Sequence, residues 1–123
     1  MQVKKGYKQR VGKMGEDEAV RFLEKKGYKI LERNFRYKRG EIDIIAKKRE
    51  EIVFVEVKTN MKGGFGEPED RVGLTKQYQI GQVAKGYLYS KKIYDVDCRF
   101  DVISITGSNK ELHHIKDAFW LKS

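Results

Sequence analysis

A chain of 123 residues, 39% apolar and 37% charged, has material for one domain with a modest core and a thick charged shell. It holds no run of about 18 apolar residues, which excludes a spanning helix, and its one cysteine, Cys98, excludes an internal disulfide or a cysteine-built zinc site. Lys and Arg outnumber Asp and Glu by 27 to 18, a net charge of +9, which favours a polyanionic partner through counterion release and electrostatic steering.

Residues 1–12 are basic, with almost no apolar side chains, and read as a flexible tail ahead of a single domain over 13–123. No apolar segment follows their positive charge, so they do not read as a secretory leader. A reducing cytoplasm suits the lone thiol, and no basic amphipathic helix with an aromatic face points to a membrane.

Over 14–26 the pattern is helical, because Glu16, Ala19, Val20 and Leu23 fall on one face. Asp17 and Arg21, four apart, are expected to pair on another face. Glu16 heads the apolar stripe, and on position alone the positive end of the helix dipole accounts for it. Gly27 stops the helix. Residues 28–35 read as a strand, placed at an edge by its three charges. Arg36, Tyr37, Lys38 and Arg39 make a basic turn around an aromatic ring, suited to holding nucleic acid by charge and stacking and equally suited to a solvated hairpin.

Two central strands follow, 40–45 and 53–58, with Lys48-Arg49-Glu50 as their turn. The loop 59–73 carries Lys62-Gly63-Gly64-Phe65-Gly66. It lacks the Gly-Lys-Ser/Thr of a phosphate-binding loop and the aromatic strand of an RNA-recognition motif. Thr75 is the expected cap of a second helix running to about Ser90, with Ile80, Ala84, Tyr87 and Leu88 buried. A strand over 96–106, a turn at 107–109 and a short final strand over 112–115 complete the chain. His113 and His114 are adjacent, so in a strand they face opposite ways and cannot clamp a metal together; both are expected to face solvent. The order αβββαβ predicts a mixed α/β fold, a mixed central sheet with a helix on either side.

The chemistry concentrates in the central strands. Val53, Val55 and Val57 share one face, and Phe54, Glu56 and Lys58 share the other. If the two strands fold back as a hairpin, Asp43 comes close to Glu56 and Lys58. Two carboxylates about 4 Å apart repel by roughly 1–4 kcal/mol in a partly aqueous setting. Protonation of one acid, a neighbouring cation such as Lys58, or a hard divalent ion would offset this. With an ion, the pattern becomes a hydrolytic site in which Lys58 orients the attacking water or stabilises charge in the transition state. Without one, Glu56 and Lys58 are a surface ion pair.

Gly40-Glu41-Ile42-Asp43-Ile44-Ile45-Ala46 and Val53-Phe54-Val55-Glu56-Val57-Lys58-Thr59 closely resemble the YraN-like family of uncharacterised bacterial proteins. That family is counted within the restriction-endonuclease-like PD-(D/E)XK nuclease superfamily. Gly15-Glu16-Asp17-Glu18-Ala19, Arg33-Asn34-Phe35, Lys76 and Arg99-Phe100-Asp101-Val102 extend the likeness to most of the chain, about 12–119. The same order is similar to that of archaeal Holliday-junction resolvases. The resemblance implies a three-layer α-β-α core. It also implies a Mg²⁺- or Mn²⁺-dependent endonuclease acting on DNA rather than RNA, with branched or structured DNA among the candidate substrates, and working as a homodimer. Glu16, Asp43 and Glu56 become metal-binding acids, Lys58 the catalytic lysine, and the Val57 carbonyl a further metal contact. Arg36, Lys38, Arg39, Lys62 and Lys76 are the basic residues expected to hold nucleic acid. The rival reading is a nucleic-acid-binding module that keeps the fold without catalysis. The family writes Ile42 where the superfamily has proline before its acid.

Overall fold

In a computed structural model, residues 5–60, 72–107 and 111–120 are described, with side chains from Gly12 onward. The elements run α1 (Lys5–Lys25), β1 (Lys29–Tyr37), β2 (Gly40–Lys48), β3 (Glu51–Asn60), α2 (Leu74–Ser90), β4 (Asp97–Thr106) and β5 (Glu111–Phe119). The strands form one five-stranded sheet in sequential order. β1, β2 and β3 make an antiparallel meander. β3 and β4 are parallel, so α2 between them is the crossover, and β5 closes antiparallel on β4. The expected mixed sheet is therefore present, with β1 at its edge. Among the described residues no helix is long and apolar enough to cross a membrane.

Strand alternation divides the core into two clusters. Ala19, Leu23 and Tyr28 pack with Ile44, Ala46, Val53, Val55, Ile103 and Ile105 on the α1 face. Ile80, Val83, Ala84 and Tyr87 of α2 pack with Ile42, Ile45, Ile52, Phe54, Phe100 and Val102 on the other. Phe54 and Phe100 stack at 5.3 Å, and Phe100 stacks on Phe119 at 5.0 Å, which ties β5 into the α2 face. Ala46 and Ile44 follow the alternation, but Ile42 and Ile45 share the α2 face although three residues apart. The β2–β3 ladder ends at Ile44–Val55. The alternation breaks at Ile42, whereas Asp43, two residues before Ile45, stays on the α2 face with Glu56.

Several local expectations are corrected. α1 begins at Lys5, so residues 5–12 form helix rather than tail. Lys, Gln and Arg extend a helix without an apolar stripe to announce it. Asp17 pairs with Arg33 at 2.6 Å and Arg21 with Glu18, because β1 brings a guanidinium to α1 that a single-helix view cannot see. Gly73, not Thr75, is the N-cap of α2, and it makes no side-chain cap bond. The Gln77 amide instead donates to the Val72 carbonyl at 2.7 Å. The last strand spans nine residues, and its His114 is turned inward rather than toward solvent (below). Lys62 and the glycine-rich stretch around it lie outside the described residues.

One glycine governs how α2 meets the sheet. A Cβ on Gly40 would lie 2.5 Å from a Val83 methyl and 3.3 Å from the Gln79 carbonyl oxygen. Alanine normally improves on glycine within a strand, yet here it must push α2 away. Gly40→Ala is expected to destabilise by about 1–3 kcal/mol in urea unfolding. A variant as stable as the parent would show that α2 does not cross this closely.

Candidate functional site

The end of the β2–β3 ladder has a direct consequence. With no β2–β3 pairing beyond Ile44–Val55, the Asp43 carboxylate accepts the Val57 N–H at 2.8 Å. Glu56 follows Phe54 on the α2 face of β3, is 7% exposed, and forms an ion pair with Lys76 Nζ at 2.6 Å. Asp43 and Glu56 line one pocket of about 290 Å³ with Gly40, Glu41, Arg39, Lys76 and Gln79. The hairpin expected from the turn at 48–50 is thus formed, and it brings the two acids to one place.

Electrostatics follow from that geometry. Burial pushes the Asp43 carboxyl up, the Glu56 charge adds to this, and the Val57 N–H offsets only part, leaving it at about 7; Glu16 and Glu41 push the same way. Burial alone would lower the Lys76 ammonium, but its bond to Glu56 and the charges of Asp43 and Glu41 outweigh burial and hold it above its ordinary value. The repulsion anticipated from the sequence is therefore met twice, by a proton on Asp43 and by a cation on Glu56. That cation is Lys76. Lys58 shares the face of Phe54 and Glu56 by strand parity, and no hydrogen bond or ion pair among the described residues engages its ammonium.

Glu16 stands at the side. Its carboxylate accepts from Asn34 Nδ2 at 2.9 Å and from the Arg33 guanidinium at 3.3–3.4 Å. It acts on Asp43 through charge alone. Among the described residues no three His, Cys, Asp or Glu gather closely enough to hold an ion. Two carboxylates in one open pocket nonetheless suit Mg²⁺ or Mn²⁺, which take one or two carboxylates and keep waters for the rest. The ammonium on Glu56 shows that the pocket draws positive charge. The residues present fit such an ion through Asp43 and Glu56, with Glu16 held apart. At Val57 it is the N–H that contacts the site, through Asp43.

The basic turn borders the same pocket. Arg39 lines it, Arg36 pairs with Glu41 at 2.8 Å, and Lys38 lies 5.5 Å from the Tyr37 ring centre. Residue-by-residue reading missed Lys76 as the partner of Glu56 and Arg33 and Asn34 as the holders of Glu16. Only the family pattern carried all three.

Folded Asp43 keeps its proton to about pH 7, whereas an unfolded aspartate releases it near 3.8. Between those values the folded state binds more protons, so this group's contribution to stability falls as pH rises. Without divalent ions, Asp43→Asn is expected to be more stable than the parent at pH 8 by about 2–4 kcal/mol, with the advantage gone by pH 4. Urea unfolding across that range checks it, and an equal pH slope in both proteins would contradict it.

Comparison with known proteins places these residues in a common setting. Residues 15–105 match the model of "Uncharacterised protein family UPF0102". A UPF0102 protein of Clostridium perfringens is 50% identical over 119 residues, 94% of this chain and 98% of its own. One from Geobacter metallireducens is 49% identical over 113 residues, 90% and 93% of the two chains. One from Caldanaerobacter subterraneus is 43% identical over 122 residues, 95% and 100%. These matches bear out the YraN-like resemblance at the level of the family.

Proposed function

The chain belongs to the uncharacterised protein family UPF0102, and we propose that it is a metal-dependent endonuclease of the restriction-endonuclease-like PD-(D/E)XK type, hydrolysing phosphodiester bonds of DNA. The observation that carries this is the meeting of Asp43 and Glu56 in one pocket, with Lys58 two residues along the same strand face as Glu56. The sheet with a helix against each face is compatible with the three-layer core of that superfamily.

When bound, Mg²⁺ or Mn²⁺ supplies a water of lowered pKa and neutralises charge at a phosphoryl oxygen. Asp43 and Glu56 would hold the ion, and the Val57 N–H keeps Asp43 pointed into the pocket. Lys76, now paired with Glu56, would be available beside the pocket for a phosphate if an ion took that place. Lys58, on the same strand face as Glu56, would steady the charge that builds on the scissile phosphate. Arg39 at the pocket rim and Arg36 and Lys38 in the turn hold the flanking backbone, and the surplus of +9 draws the polyanion in. Cutting both strands calls for two copies of the chain, so a homodimer in the cytoplasm belongs to this reading.

A second reading is favoured by the ion pair of Lys76. Glu56 is already balanced by Lys76 and Asp43 by a proton, so the pocket stands neutralised with no ion. In that reading the chain binds nucleic acid without cutting it.

Plasmid, linear and branched DNA incubated with Mg²⁺ or Mn²⁺ separate the two. The endonuclease reading expects cleavage of at least one substrate, reduced about 100-fold or more in Glu56→Ala and in Lys58→Ala. Full cleavage in both variants would remove this site from the chemistry. Salt-sensitive DNA binding without cleavage, independent of divalent ions and kept in Asp43→Ala, would establish the second reading.

A further inference from the structure

On the opposite face of the sheet, toward the β2–β3 turn, lies a second cavity, of about 470 Å³, lined by Phe22, Lys26, Tyr28, Lys48, His114 and Lys116. Its volume is within the range of small-molecule sites. It holds three lysines and three rings and no acid in its lining. None of the three lysines makes an ion pair with a described residue. Lys48 Nζ sits 4.8 Å from the Tyr28 ring centre and Lys26 Nζ 5.7 Å from that of Phe22. Both ammonium groups lie within the range of a cation–π contact.

The wall behind these groups is rigid. The Asp101 side chain is wholly buried. It accepts from Arg99 Nε at 2.8 Å and Nη2 at 2.9 Å, from His114 Nε2 at 2.7 Å, and from the Asp117 N–H at 3.1 Å. Burial would raise this carboxyl, but the bonds from His114 and Arg99 hold it below its ordinary value. It is a fixed anion, so the proton between it and His114 belongs to Nε2. Arg99 also donates to the Tyr28 hydroxyl at 2.6 Å and to Glu51 at 2.9 Å. Both acids of the network are therefore paired with Arg99 and His114 rather than with the three lysines. Phe22 and Tyr28 meet the His114 ring edge-on at 5.7 and 6.1 Å, which orients all three rings.

We propose that this cavity binds a nucleoside phosphate, with the phosphate on Lys26, Lys48 and Lys116 and the base at the partly buried ring of Phe22 on the cavity wall. Lysines are point-charge phosphate binders, and rings accept any base because every base has a π-face. Three like charges around one cavity repel, and an entering dianion relieves that repulsion. The ligand is either a free mononucleotide or the phosphorylated end of a nucleic-acid strand, which present the same chemistry. The site shares no residue with the Asp43–Glu56 pocket, and this assignment stands whether or not that pocket cuts DNA.

Calorimetry in EDTA tests it, using the full chain with AMP, a 5′-phosphorylated oligonucleotide, the same oligonucleotide without phosphate, and inorganic phosphate. Saturable binding is expected for at least one phosphorylated nucleotide, weakened about tenfold by Lys48→Ala or Lys116→Ala. Lys85→Ala, an exposed lysine elsewhere, removes the same charge and should leave affinity unchanged. NMR should show the His114 ring resonances moving on titration. Binding of AMP with equal or weaker binding of the phosphorylated oligonucleotide identifies a free nucleotide, and the reverse order identifies a strand end; either supports the site. The proposal is overturned by no saturable binding, by inorganic phosphate or the unphosphorylated strand binding as well, or by Lys85→Ala weakening binding as much as Lys48→Ala.

Discussion

Asp43 sits where β2 stops pairing with β3, and its carboxylate takes the Val57 N–H that the regular ladder leaves free. The rest of the acidic pocket depends on this bond. It orients Asp43 toward Glu56, and burial beside that charge holds its proton to about pH 7. The second acid then needs its own counter-charge, which α2 supplies through Lys76. Because Gly40 has no side chain, α2 can lie close enough on β2 to do so. The pocket is a chain of obligations, each created by the one before: a strand break, an unpaired N–H, a buried acid, a second acid, a lysine.

The molecule separates its charge by face and by end. One side of the hairpin carries Asp43, Glu56 and Glu41 with Lys76 and Arg39 beside them. The other carries Lys26, Lys48 and Lys116 over a buried Asp101 whose charge is already spent on Arg99 and His114. Such buried carboxylates are expensive unless every lone pair is used, and Asp101 uses its own on four donors. Among described residues no buried side-chain polar atom lacks a partner, so neither acid cluster is left as an unrelieved cost in the fold. Asp43 is balanced by a proton, and a proton is the counter-charge most easily exchanged for another cation. That difference separates the Asp43 pocket from the Asp101 network, whose charge is held by fixed cations and donors.

Local pattern carried much of this. The alternation of Val53, Val55 and Val57 against Phe54 and Glu56 was readable from β-strand period alone, as was the hairpin closing at 48–50. The helical stripe of Ala19 and Leu23 and the mixed sheet with β1 at its edge were equally readable, because side-chain direction repeats at a fixed period along the backbone. The family pattern added Glu16 and placed Arg33, Asn34 and Lys76 among the residues to watch. It could not say what they touch.

Partners distant in the chain were decided only by the tertiary structure. Arg33 reaches Asp17 and Glu16 across 16 and 17 positions, Lys76 reaches Glu56 from the next helix, and Arg99 reaches Tyr28 across 71. The first two have a plausible nearer rival: Arg21 for Asp17 and Lys58 for Glu56. Sequence spacing ranks the rivals by distance along the chain, and the sheet order replaces that ranking. Periodicity determines which face a side chain leaves from, whereas register and the β3–α2–β4 crossover determine what it meets there. The residues of the acidic pocket were therefore legible from the sequence, and its charge balance was not.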